Sequence, residues 1–157
     1  MKRKMLALLI PALLVTGVGC TSVHKMVDRE AAEEKVKSED YKDQLASLMK
    51  DFKKESAKLD KILNGDKTIE EKEKEFKVES EALVKLTKEV DKLDPGEKYK
   101  DVQAKLYNAM SLVRVGVTSI QGGLEYKENR TIQSGGESLL EASQLITEAD
   151  KLMRETK

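Results

Sequence analysis

Residues 99–124, YKDVQAKLYNAMSLVRVGVTSIQGGL, carry the strongest hydrophobic periodicity in the chain. Large apolar side chains recur there at steps of three or four residues, which is the spacing of one face of an α-helix. The face comprises Tyr99, Val102, Leu106, Met110, Val113, Val117, Ile120 and Leu124. The stretch therefore predicts a long amphipathic helix that buries one face against other helices.

Two segments before this stretch are also predicted to be helical. The first carries apolar residues at three- and four-residue steps, namely Tyr41, Leu45, Leu48, Met49, Phe52, Leu59, Ile62 and Leu63. Asn64-Gly65 should end it, since both residues tolerate the left-handed conformation found after helices. In the second, Asp66 or Thr68 can cap a helix whose residues Ile69, Phe76, Leu83 and Val90 repeat every seven positions, as in a coiled coil. The other positions of this coiled-coil seam, which lie between the repeating apolar residues, are the polar residues Glu73, Ser80 and Thr87. We therefore expect this helix to be the one most weakly packed in the bundle.

Asp94-Pro95-Gly96-Glu97 indicates a boundary, because Asp94 can cap a helix, Pro95 suits its first position and Glu97 can close a capping box. A last helix should begin between residues 129 and 134 and present Ile132, Leu139, Ala142, Ile146, Ala149 and Met153. Short connections favour antiparallel neighbours. The expected fold is all-α, an antiparallel up-down bundle of four long helices in residues 41–157. A three-helix bundle is the alternative if the first helix packs poorly.

The N-terminal residues have the pattern of a signal peptide. Lys2, Arg3 and Lys4 precede an uncharged, mostly apolar run over residues 5–18, interrupted by Pro11. A bilayer core needs about 20 apolar residues, so this run is short for a transmembrane helix. We predict that residues 1–19 are an export signal and that residues 20–40 are a tether or frayed helix.

Val18-Gly19-Cys20 resembles the end of a bacterial lipoprotein signal, in which a small residue precedes the cysteine that receives lipid. The resemblance implies that the Cys20 thiol carries a diacylglyceryl group, that cleavage makes Cys20 the first mature residue, and that its amino group can also be acylated. Gly17 departs from the pattern, which usually has an aliphatic residue there. The alternative is ordinary signal cleavage, which would release a secreted protein with a free cysteine.

The later residues Pro95-Gly96-Glu97-Lys98-Tyr99-Lys100, followed by Leu106, Ala109 and Met110, resemble small helical-bundle lipoproteins of unknown function from Gram-positive bacteria. This resemblance implies an envelope location. Together with the signal that ends at Cys20, it predicts a protein at the cell membrane, lipid-anchored and facing outside the cytoplasm. It implies no known catalytic activity.

The charges argue against a nucleic-acid partner. The chain has 29 basic and 29 acidic residues that interleave, so no field of one sign is expected. Removing residues 1–19 removes three bases and no acid, which leaves a mildly acidic protein. Such a protein should not adhere to an anionic bilayer by itself, so membrane contact would come from acylated Cys20.

The sequence also lacks the residue patterns of an enzyme or a metal site. His24 is the only histidine, and a helical carboxylate metal site needs more than one. No serine is matched to a histidine base, and the acidic residues near Glu70 and Glu75 alternate with lysines as on a solvated helix face. We therefore expect no catalytic residues, no cofactor and no metal.

Two glycine pairs stand out. Pairing the last two helices around a turn near residue 129 places Gly123 of the pair Gly122-Gly123 opposite Gly136 of the pair Gly135-Gly136. The glycines could allow close packing, lie in loops, or leave a notch for a ligand or partner, with Tyr126 beside it as a partner contact.

The leading functional hypothesis is a non-catalytic envelope lipoprotein that acts as an interaction or structural module, with a cell-envelope protein or the cell wall as partner. A surface adhesin or glycan-binding lipoprotein is one alternative, and it would need a contiguous basic patch. A carrier of a small hydrophobic ligand is another, and it would need a cavity lined by Met110, Val113 and Ile146.

Overall fold

Four helices make up the fold. The computed structural model describes the backbone of residues 29–156 and the side chains of residues 39–156. The helices are α1 (Arg29–Asn64), α2 (Ile69–Asp91), α3 (Lys100–Glu125) and α4 (Asn129–Glu155). No strand occurs between residues 29 and 156, so the predicted all-α fold with four helices is confirmed.

The start of α2 is fixed by a capping box. The Thr68 hydroxyl accepts a hydrogen bond from the Glu71 N–H at 3.2 Å, and the Glu71 carboxylate accepts one from the Thr68 N–H at 2.9 Å. Each bond satisfies a backbone donor that a helix start leaves without an intrahelical partner. Of the two predicted caps, Thr68 is therefore the one used.

The capping box predicted at residues 94–97 is wrong. Gly96 has a φ of +56°, a left-handed conformation that interrupts a right-handed helix. The Asp94 carboxylate instead accepts a hydrogen bond from the Gly96 N–H at 3.0 Å, two residues on. Helix α3 consequently begins at Lys100, with Tyr99 in the N-cap position.

Cross-helix contacts give the relative direction of α1 and α2. The Lys58 ammonium lies 3.3 Å from the Glu79 carboxylate, and the Lys72 ammonium donates to the Leu63 carbonyl at 2.8 Å. Residue numbers thus fall along α2 as they rise along α1, so these two helices run in opposite directions.

The core contains apolar side chains from all four helices. All eight apolar positions predicted on the α3 face are buried, none more than 3% exposed. They form one core with Ala109 of α3 and with the buried residues of the other helices, which are Tyr41, Leu45, Met49, Phe52, Leu59, Ile62, Phe76, Leu83, Val90, Ile132, Leu139, Ala142, Ile146 and Ala149. The helical periodicity of the sequence therefore identifies most of the core. The exception is Ile69, predicted on the apolar face of α2, which is 37% exposed because it is the first residue of that helix.

The polar seam residues of α2 are accommodated by local hydrogen bonds. Ser80 and Thr87 are buried, and their hydroxyls donate to the carbonyls of Lys77 and Val84, one turn earlier in the same helix. A buried hydroxyl with a partner avoids most of the cost of leaving water. These two seam positions therefore leave no unpaired hydroxyl in the bundle.

The N-terminal predictions lie outside the described residues. These are the signal peptide, Cys20 and His24. Helix α1 begins at Arg29, within the segment predicted as tether or frayed helix. Within residues 29–156, none of the helices combines the length and hydrophobicity needed to span a bilayer.

Candidate functional site

Glycines bring the backbones of α3 and α4 into direct contact. A methyl group built on Gly135 would lie 2.6 Å from Cγ1 of Ile120 and 2.7 Å from the carbonyl oxygen of Gly116. One built on Gly123 would lie 2.6 Å from Cγ1 of Ile132 and 2.7 Å from its backbone nitrogen. These distances are below any normal carbon contact, so only glycine fits at these positions.

The predicted pairing of Gly123 with Gly136 is wrong. Gly123 packs against Ile132, and a methyl group on Gly136 would meet nothing within 4 Å. The reason is the turn, which lies between Glu125 and Asn129 and so is centred about two residues before the predicted position. A shift of two residues in an antiparallel turn moves the pairing by about four residues, or one helical turn.

The predicted notch residues therefore do not form one site. Gly123 and Gly135 lie in the close contact, whereas Gly122 and Gly136 face open space. Tyr126 lies just after α3 and is 74% exposed. The backbone atoms of α3 and α4 fill the space next to Gly123 and Gly135, which favours close packing over a ligand notch.

Gly116 is the member of this contact that sequence reasoning missed. It is a single glycine inside an apolar run, whereas the predicted site comprised only the two glycine pairs. Its signal was its distance of seven residues from Gly123, which places both on one face of a helix.

A small, partly open apolar pocket of about 20 Å³ lies among the four helices. Its lining includes Phe52 of α1, Phe76 of α2, and Val113 and Ile146 of α3 and α4, but not Met110. A cavity volume of about 10–15 Å³ is enough for one water molecule. The volume of this pocket is therefore far below the volume of a ligand site. The volume weighs against the hydrophobic carrier hypothesis.

A stacked pair of tyrosines links α1 to the start of α3. The rings of Tyr41 and Tyr99 are 5.5 Å apart and 16° from parallel. The Tyr41 hydroxyl donates to the Gln103 side-chain oxygen at 2.8 Å, and the Gln103 amide donates to the Val90 carbonyl at 2.7 Å. Burial, with the adjacent Tyr99, raises the pKa of Tyr41 well above its ordinary value.

The two tyrosine hydroxyls should contribute oppositely to stability. The Tyr99 hydroxyl is buried and finds no hydrogen-bond partner among the described residues. Tyr99→Phe should therefore leave the free energy of unfolding unchanged or raise it by about 1 kcal/mol. Tyr41→Phe should lower it by about 1 kcal/mol, because the half-buried Gln103 side-chain oxygen loses its donor.

Urea unfolding of the two variants checks this expectation, with each compared to the unsubstituted protein. Both replacements remove one hydroxyl and keep the stacked rings, so they control for each other. A larger loss in Tyr99→Phe than in Tyr41→Phe would contradict the assignment.

Charged contacts tie α2 to the later helices. Arg114 of α3 donates to the Asp91 carboxylate at 2.7 Å and to the Thr87 hydroxyl at 3.3 Å. At the other end of α2, the Lys127 ammonium donates a hydrogen bond to the Glu70 carboxylate. This hydrogen bond holds the pKa of Glu70 below its usual value. Both contacts fix the position of α2 against the α3–α4 hairpin.

A groove of about 360 Å³ runs along the surface between α2 and α3. Its α2 side carries three lysines and one acid, and its α3 side is uncharged. The lining residues are Lys77, Ser80, Glu81, Val84, Lys85, Lys88, Val117, Thr118 and Gln121. The groove thus places three lysines and one glutamate beside an uncharged stretch of α3.

Potential metal ligands are not clustered among the described side chains. No group of three or more His, Cys, Asp or Glu residues in this part of the chain is placed to hold a metal ion. Comparison with family models, curated proteins and solved structures finds no match to the chain.

Proposed function

We propose that the protein is an envelope lipoprotein, anchored by acylated Cys20, whose helical bundle acts outside the cytoplasm as a non-catalytic interaction module. The observation that carries this proposal is the N-terminal pattern of three bases, an apolar run and small residues before the only cysteine. An exported chain with one cysteine cannot form an internal disulfide, so lipidation gives that thiol a role.

The helical structure supports an anchor at this end of the chain. Helix α1 begins nine residues after Cys20, and Tyr41 is the first buried residue among the side chains described from residue 39 onward. The 12 residues of α1 before Tyr41 correspond to about 18 Å of helix at about 1.5 Å per residue. In this proposal they act as a spacer between the lipid and the packed bundle.

The acyl chains would provide the membrane affinity. Each buried methylene adds about 0.8 kcal/mol, so two or three chains hold a protein far more firmly than one. The mature part contains three more acids than bases, which gives it little attraction of its own to an anionic bilayer.

Cys20→Ser tests the proposal directly. Intact mass of the membrane-extracted protein should show a mature chain that begins at Cys20 and carries a diacylglyceryl group. The Cys20→Ser variant should lack this mass and leave the membrane fraction, whereas the control Ser22→Ala should keep both. An unmodified, secreted chain with a free thiol would contradict the proposal.

Glycan binding is a second candidate because of the α2–α3 groove. The adhesin hypothesis requires a basic patch on the folded surface, and Lys77, Lys85 and Lys88 line one groove together. This candidate is compatible with the lipid anchor, since it assigns a ligand to the bundle and leaves the attachment unchanged.

A further inference from the structure

We propose that the groove between α2 and α3 binds a linear anionic glycan through Lys77, Lys85 and Lys88. The inference rests on the second candidate function above and gives it a site and a ligand class. It does not depend on the lipid anchor.

The size of the groove suits an extended polymer. Lys77 and Lys88 are 11 residues apart on α2, which corresponds to about 16 Å along the helix. The groove of about 360 Å³ lies in the range of ligand sites and is open along its length. A chain of a few sugar units can therefore lie in it without its ends being enclosed.

The three lysines of the groove are without a close ion pair within the described part of the bundle. Lys77, Lys85 and Lys88 form no ion pair with any described residue, whereas Lys67, Lys105 and Lys127 each lie on a carboxylate. Glu81 is the only acid in the lining, so three ammonium groups face one carboxylate. A ligand carrying several negative charges would supply the missing partners and release its counterions on binding.

The uncharged side of the groove favours a glycan over an acidic peptide. Gln121 of α3 is half-buried, and its side-chain amide can donate to and accept from sugar hydroxyls. Thr118 is exposed, and its hydroxyl, which donates to the Arg114 carbonyl, can still accept a hydrogen bond. The apolar floor consists only of Val84 and Val117, which gives no deep pocket for the large side chains that anchor peptides. A flat bilayer fits the site less well, since its surface can meet the exposed lysines but cannot enter the groove between the two helices.

Binding to heparin-derived oligosaccharides tests the proposal, with dextran as an uncharged probe. Calorimetry on the protein as purified, with or without lipid, should give binding to heparin that weakens steeply with salt and no binding to dextran. The triple variant K77Q/K85Q/K88Q should bind heparin about tenfold or more weakly than the unsubstituted protein.

The matched control is K50Q/K53Q/K61Q, which removes the same charge from exposed lysines of α1. It should change the affinity for heparin by less than about twofold. Equal losses in the two triple variants would show attraction to net charge alone and overturn the proposal. Tighter binding to polyglutamate or to phosphatidylglycerol vesicles than to heparin would overturn it in favour of a protein or membrane partner.

Two further results separate this proposal from the lipoprotein assignment. Absence of heparin binding by a correctly folded protein overturns the glycan site and leaves the anchor unaffected. Conversely, a secreted, unlipidated chain that binds heparin through the three lysines supports the site although the anchor fails. Circular dichroism and thermal midpoints of both variants verify the fold, and all six replaced lysines are outside the buried core.

Discussion

Gly135→Ala is expected to lower the free energy of unfolding by about 2–3 kcal/mol. The added methyl group would meet the Gly116 carbonyl oxygen at 2.7 Å and the Ile120 backbone nitrogen at 2.9 Å. Both are backbone atoms, which cannot move aside as the end of a flexible side chain can. Relief requires α3 and α4 to separate, and their separation would reduce packing along the hairpin.

The neighbouring Gly136→Ala is the matched control. A methyl group there meets nothing within 4 Å, and alanine favours the helix over glycine by about 0.5–1 kcal/mol. Gly136→Ala should therefore raise the free energy of unfolding while Gly135→Ala lowers it. Urea unfolding with a helical signal measures both, and stabilisation by Gly135→Ala would show that the two backbones are not in contact.

The helices could be predicted from the sequence because their signals are local. The core face of α3 follows from the spacing of apolar residues, and each of its predicted positions is buried. The start of α2 follows from Thr68 and Glu71, which satisfy the first backbone donors within one turn. Information of this kind lies within a few residues of the feature that it determines.

The pairing of α3 with α4 could not be predicted in the same way. It depends on the exact ends of both helices, and a displacement of the turn by two residues moves every contact by one helical turn. Gly123 consequently meets Ile132 and not Gly136, and Gly116 becomes part of the contact. Gly96 shows the same difficulty, because its positive φ displaced the start of α3 from the predicted Pro95.

The lysine groove was missed because α2 alone looks like a solvated charged helix. Lys77, Lys85 and Lys88 are spaced by eight and three residues, which places them on one side of α2. That spacing was the available signal. The groove itself arises only when Val117 and Thr118 of α3 lie beside these lysines, and sequence periodicity does not give the rotation of one helix relative to another.

Phe76→Ala should lower the free energy of unfolding by about 3–5 kcal/mol, the largest effect expected in the core. Phe76 is completely buried and lines the partly open pocket of about 20 Å³ among the four helices. Removing its ring loses apolar burial and enlarges a space that the surrounding helices fill only in part. Val78→Ala on the same helix is the control, because Val78 is 67% exposed and should change stability by less than about 0.5 kcal/mol.

The same variant tests whether the bundle carries hydrophobic ligands. An apolar cavity of about 150 Å³ can bind benzene, whereas the cavity of about 20 Å³ in this protein cannot contain it. Benzene should therefore raise the thermal midpoint of Phe76→Ala and leave that of the unsubstituted protein unchanged, since a ligand stabilises only the state that binds it. A benzene-induced rise in the thermal midpoint of the unsubstituted protein would mean that its core opens to admit ligands. That result would support the hydrophobic carrier hypothesis over the non-catalytic interaction module.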